Sequence, residues 1–161
     1  MKSKSFYLCV IVLLLSAFAL AQSTPYSTSV FSATFNGPVT TSSDRNGSNT
    51  SSDHFYLSSA KGITDVVDIR NLDGDIPVDK SSTDFYVGQA TKDGSTLISR
   101  QDGTYQGHIY VFVVVTTTDG RALKNWIIIL NSRQVLFMVQ ADNGSAGTDD
   151  WSAFSQSLNI K

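Results

Sequence analysis

The sequence predicts an α+β protein: an antiparallel sheet with a long C-terminal meander and helices on both faces, an α-β-α sandwich. Three observations predict it. First, residues 107–141 hold three apolar runs, YVFVVV at Tyr110–Val115, WIIIL at Trp126–Leu130 and VLFMV at Val135–Val139. None alternates cleanly, as a strand with one wet face should. Second, short turns separate the runs, at Thr118-Asp119-Gly120-Arg121 and Asn131-Ser132-Arg133, which suits antiparallel hairpins. Third, one helical pattern precedes the meander and another follows it, so each face has a candidate cover. Val113 and Val114 should then be buried on opposite faces, and Ile127 and Ile128 likewise.

The remaining elements follow in chain order. Lys2 and Lys4 precede the apolar run Leu8–Leu20, and Ala19-Leu20-Ala21 has the small-x-small form of a signal-peptidase site. Cleavage is expected between Ala21 and Gln22. Residues 1–21 are read as a signal peptide, 22–29 as a disordered lead-in and 30–161 as a single domain. Val30–Phe35 (VFSATF) alternates and reads as a strand ended by Asn36-Gly37-Pro38. Thr40–Asp53 has no apolar residue and reads as a loop. His54–Ala60 and Thr64–Arg70 read as strands, and Asn71–Asp79 as a turn-rich connector.

Ser81–Thr91 (SSTDFYVGQAT) is the first expected helix, capped by Ser81 or Ser82, with Phe85, Gly88 and Gln89 on one face. Thr96–Arg100 is a short segment before an Asp102-Gly103 turn. The last helix is expected after a Thr148 cap, with Asp149 and Asp150 favoured by its N-terminal dipole. Trp151, Phe154 and Leu158 recur at helical spacing.

Composition narrows function by exclusion. The chain has 161 residues, 12 basic against 14 acidic, and every acidic residue is Asp. Asp favours caps and turns over helix interiors, which agrees with a strand- and turn-rich chain. Without a basic stripe there is no footprint for nucleic acid. The single cysteine, Cys9, would leave with the signal, so no disulfide or thiol chemistry is expected. The strands are too few and too continuous for a membrane barrel, and no membrane anchor is expected after cleavage.

The order of these elements is similar to the PsbP-type α-β-α sandwich, shared by the PsbP extrinsic proteins of photosystem II, the Ran-binding Mog proteins and many uncharacterised exported bacterial proteins. The likeness rests on the FSATFNGP strand, a polar loop, a strand pair and helix, the GTYQGHIYVFVV start of the meander and its NSRQVLFMVQ end, and the closing DDWSAFSQSLNI segment. Arg133–Phe137 and Phe154–Ile160 stand where that superfamily carries an Arg-x-aromatic strand and a Phe-x-x-Ser-Leu/Phe-x-Ile-like end. The pattern is nearest to the exported bacterial branch. The resemblance implies a fold over nearly all of the chain after the signal, and no particular activity.

No catalytic, cofactor-binding or metal-ligating set is expected. His54 and His108 are the only histidines, each opening a strand, and no Gly-x-Ser-x-Gly elbow accompanies them. Asp73/Asp75 and Asp149/Asp150 are paired carboxylates, better explained by turn and helix-start chemistry. Asp73, Asp75 and Asp79 do not follow calcium-loop spacing; Asp142, Asn143, Asp149 and Asp150 offer oxygens without a motif. Gly144–Gly147 lacks the lysine of a phosphate loop. Asn46, Asn49 and Asn143 fit the glycosylation pattern by chance in Asn/Ser-rich loops. Trp126, Tyr110 and Phe112 read as core or sheet-face residues rather than a sugar platform. The expected role is an exported, periplasmic or extracellular, non-enzymatic accessory domain with an unidentified protein partner. The alternatives are a small-ligand binder using a cleft between helix and sheet, and a hydrolase built on His54 or His108.

Overall fold

The structure, a computed structural model, describes residues 23–44, 50–60, 62–142 and 151–161. The signal segment, the Ala21/Gln22 junction, the Thr148 cap with Asp149 and Asp150, Gly144–Gly147, and the three glycosylation-type asparagines lie outside those residues. So does the side chain of His54.

The apolar runs form the meander. Strands β7 (His108–Thr116), β8 (Ala122–Asn131) and β9 (Gln134–Asp142) follow one another antiparallel. They are joined to β3 (Thr40–Asp44), β4 (Thr50–Ala60), β5 (Ile63–Leu72) and β6 (Thr96–Tyr105) in one seven-stranded sheet, ordered β3-β4-β5-β9-β8-β7-β6. A second sheet of three strands has the order β1-β2-β10, from Thr24–Ser27, Phe31–Phe35 and Asn159–Ile160. Two helices lie among the described residues, α1 (Lys80–Ala90) and α2 (Trp151–Gln156).

The large sheet is covered on both sides, but not by helices on both sides. On one face Val111, Val113, Val115, Ile127, Ile129, Val135 and Phe137 pack with Tyr86 and Val87 of α1. On the other, Val67, Ile69, Trp126, Ile128, Leu136 and Met138 pack with Phe31, Ala33 and Phe35 of β2 and with Phe154 and Leu158. The expected α+β class and its α-β-α sandwich are therefore overturned: the described residues are mostly strand, in two antiparallel sheets with only two helices. The reason lies in volume. The alternating β2 strand turns two phenylalanines and an alanine inward, while α2 spans only six residues and buries Phe154 alone. Leu158 is buried beyond the end of α2, in the chain leading to β10.

Ile127 and Ile128 are buried in opposite clusters, as the continuous runs require. The Val113/Val114 pair meets the expectation only in part. Val113 is buried, but Val114 is half-buried, flanked in register by Ser99 and Lys124.

Three further expectations are corrected. The 22–29 lead-in contains β1, paired with β2 from Thr24↔Phe35 to Ser27↔Ser32. The polar 40–53 loop contributes β3 and the start of β4. Asp102-Gly103 is not a turn but lies within β6. Gly103 sits opposite Tyr110, and a Cβ there would lie 2.7 Å from the Tyr110 Oη. The glycine makes room for a ring. The turn comes later, at Gln106-Gly107, both with positive φ (51° and 85°), as a two-residue hairpin demands.

Helix α1 forms where expected but faces differently. Its cap is Asp79, whose carboxylate accepts the Ser81 N–H at 2.8 Å. Its inward face is Ser82, Thr83, Tyr86 and Val87, while Phe85 is 58% exposed. The two hydroxyls can face the sheet because each donates to a local carbonyl, Ser82 to Pro77 at 2.6 Å and Thr83 to Lys80 at 2.8 Å.

Candidate functional site

One helix is not wide enough to cover the sheet it lies on. An α-helix is about 10 Å across and strands are spaced at about 4.8 Å, so α1 shields roughly two strands of seven. It packs on β7 and β8. The same face of β5 and the near side of β9 stay uncovered, and a cleft of about 380 Å³ opens between them and the helix.

Strand register sets out its floor in rows. Val66, Val139 and Asn125 form one row; Asp68, Phe137 and Ile127 form the next. Tyr86, Gln89 and Ala90 of α1 make the opposite wall. Tyr86 meets Phe137 edge to face, with ring centroids 5.1 Å apart, so the helix is seated by an aromatic contact at the cleft's inner end. Most of the lining is apolar, with charge from one strand only.

That charge is an ordered pair. Asp68 and Arg70, two apart on β5, share the cleft face. Arg70 Nε donates to Asp68 Oδ2 at 2.9 Å, and the guanidinium carbon stands 4.4 Å above the Phe137 ring. Side-chain exposure is 39% for Arg70 and 6% for Asp68. The carboxylate is thus beneath and the cation outermost. Sequence alternation places Val67 and Ile69 on one side of this strand, and their alternates Val66, Asp68 and Arg70 were the signal for the site.

The expected catalytic candidates do not converge. His54 belongs to β4 and His108 to β7. Four strand spacings separate them, about 19 Å. Among the described residues no Ser or Asp hydrogen-bonds to His108, which lies opposite Tyr105 at the hairpin. Asp75 serves the fold: it accepts from Arg133 Nε at 2.7 Å and Ser132 Oγ at 3.3 Å, tying the 73–79 connector to the β8–β9 turn. The Arg133 hydrogen bond and charge hold its carboxyl below the usual range. Asp79 serves as the α1 cap. Among the described residues no cluster of three His, Cys, Asp or Glu could hold a metal.

A second polar group lies on the other face. Asp65 is fully buried and accepts the Asn36 backbone N–H at 3.0 Å and Gln140 Nε2 at 2.9 Å. Asn36 in turn accepts from Ser58 Oγ at 3.0 Å and donates to the Ile63 carbonyl at 3.1 Å. These bonds dock the corner after β2 onto the large sheet. Their donors and acceptors are turned toward each other rather than toward a cavity, and the cluster is structural.

Trp126, Tyr110 and Phe112 stand on the β2 side of the sheet, as expected of sheet-face residues. Trp126 meets Tyr105 and Tyr110 at 4.7 and 5.4 Å, and Phe112 stacks on Trp151 at 5.3 Å. No helix among the described residues is long and apolar enough to cross a membrane. No family model and no curated protein matches the chain.

Proposed function

We propose that this chain is an exported, non-enzymatic binding module that holds a small, largely apolar molecule between α1 and the β5/β9 strands. The single observation that carries the reading is the cleft: about 380 Å³, with Val66, Ile127, Phe137 and Val139 as its apolar floor and Asp68, Arg70, Gln89 and Asn125 as its polar groups. Ligand sites are typically apolar concavities of about 300–1,000 Å³ with a few fixed polar groups. At about 30 Å³ per water the volume equals roughly a dozen waters, which suits a small molecule better than a peptide. Export is proposed from the Lys2/Lys4 and Leu8–Leu20 pattern alone, and the first residue of the secreted protein is expected to be Gln22.

Saturation-transfer NMR with a library of small aromatic and aliphatic compounds tests the binding. Ala90→Trp places an indole in the cleft from the helix side. Compounds that bind the wild type and not this variant support the reading. Absence of any binder, or undiminished binding by the variant, overturns it.

A protein-docking role is favoured by a different observation. Strand β6 is an outer edge of the large sheet, and Ile98, 61% exposed, lies on it with Leu97 also exposed. The irregular register between Leu97 and Ser99 and the charges of Arg100 and Asp102 interrupt that edge, which are devices against unselective strand pairing.

A further inference from the structure

Resting on the cleft as a ligand site, we infer that its ligand carries a carboxylate, received by Arg70. A guanidinium has five N–H donors in a fixed fork. At Arg70 one of them, Nε–H, is committed to Asp68 at 2.9 Å, and among the described residues the Nη groups hydrogen-bond no acceptor. The plate is held from two sides, by the Asp68 oxygen at its Nε edge and by the Phe137 ring 4.4 Å below. The two-nitrogen Nη edge is left pointing away from the Asp68 contact. That edge matches the two oxygens of one carboxylate, and the side chain loses little freedom on binding because it is already ordered.

The sign of the charge follows from exposure. Both members of the pair line the cleft, so a cationic ligand seeking Asp68 has to be weighed against an anionic one. Asp68's side chain is 6% exposed and Arg70's is 39%. A ligand entering from solvent meets the cation and not the carboxylate. Tyr86, Phe137, Ile127 and Val139 receive the remainder of the molecule, which must be apolar and short. The ligand class is therefore a small aryl or branched-alkyl carboxylic acid. Asp68 lowers the local positive potential, so preference is set by the geometry of the fork more than by long-range attraction, and binding should weaken only slightly with salt.

The test uses matched pairs: phenylacetate against phenylacetamide, 3-phenylpropionate against its amide, and isovalerate against its amide. Each is titrated into the isotopically labelled protein, and amide shifts are followed at Val66, Tyr86 and Val139. The acids are expected to bind about tenfold tighter than the amides, the scale of one well-formed charge-assisted pair. Arg70→Gln should erase that preference, bringing each acid to the affinity its own amide has for the same variant. Arg70→Lys keeps the charge beside Asp68, guards against misfolding, and should lose most of the preference because an ammonium has no paired edge. Acids and amides binding alike would overturn the carboxylate inference and leave the cleft reading standing. No shifts with any compound would remove the cleft reading as well. Inorganic phosphate competing as well as the acids would make the site a general anion receptor and overturn the assignment.

Discussion

Replacing Asp65 separates two accounts of the buried polar corner. In the wild type its carboxylate oxygens accept the Asn36 N–H at 3.0 Å and Gln140 Nε2 at 2.9 Å, and the residue has no exposed surface. Asp65→Ala removes both acceptors. A buried donor left without a partner costs about 1–3 kcal/mol, so two cost about 2–6 kcal/mol. Relief of the carboxylate's own desolvation offsets part of this, and the expected net loss is about 3 kcal/mol. That is a large share of the roughly 5–15 kcal/mol by which domains are stable. Asp65→Asn keeps one oxygen for the Asn36 N–H, and Gln140 can turn its amide toward the new NH2, so about 1–2 kcal/mol is expected. Urea unfolding followed by circular dichroism measures both, with hydrogen exchange at the Asn36 amide as a local reporter. Protection at that amide should fall in the alanine variant. An alanine variant within about 0.5 kcal/mol of wild type, or an asparagine variant as damaging as alanine, would refute the assignment of these bonds as the corner's anchor.

Two glycines should respond in opposite directions. Gly88→Ala is expected to stabilise by about 1 kcal/mol, because it lies inside α1 and its new Cβ would meet no atom within 4 Å. Gly103→Ala should destabilise by about 1–3 kcal/mol, since its Cβ would lie 2.7–2.9 Å from the Tyr110 ring and hydroxyl; melting temperatures of the pair report both. The α1–β6 ion network should make stability depend on pH at the acid end. Hydrogen bonds from Lys80 and Arg100 hold the Asp84 carboxyl below its ordinary value, and that of Arg100 does the same for Asp102. Their contribution is complete above the unfolded carboxylate range, about pH 4, and is lost as pH falls through the lower folded values. Arg100→Gln should therefore be less stable than wild type at pH 6 and converge with it toward pH 2. A stability gap that persists unchanged at acid pH would contradict this.

Local chemistry made the centre of the fold readable and left its margins obscure. Tyr110–Val115, Trp126–Leu130 and Val135–Val139 announced strands buried on two sides, because a run without polar alternates has no wet face to offer. The 81–91 helix was readable to within a residue at each end. Its cap was not: Asp79 competes with Ser81 and Ser82 for that role, and the backbone path of the connector decides. Strands β1 and β3 were unreadable because TPYS and TTSSD carry no apolar rhythm. They are held by ladders to β2 and β4, whose partners no short window contains. Gly103 misled for the same reason. Asp-Gly is turn chemistry until a tyrosine seven residues later lies across it. In the cleft, Asp68 and Arg70 could be placed on one strand face from the sequence, but nothing local said that α1 would stop short of covering them.

The smaller sheet also dictates an order of events. Its central strand β2 is flanked by β1 on one side and, on the other, by Asn159–Ile160 from the far end of the chain. The Lys161 N–H reaches the Val30 carbonyl at 2.9 Å, and Gln106 Oε1 accepts the Ile160 N–H at 2.8 Å. In a polypeptide made or threaded from its N-terminus, Phe31 and Phe35 emerge early and wait for Asn159–Ile160, which follows every strand of the large sheet. The large sheet can assemble as two hairpin series, β3–β4–β5 and β6–β7–β8–β9, joined when β9 pairs with β5. The aromatic layer beneath it closes only once Asn159–Ile160 is available to pair with β2, so this half of the core is completed after the large sheet's strands have all appeared.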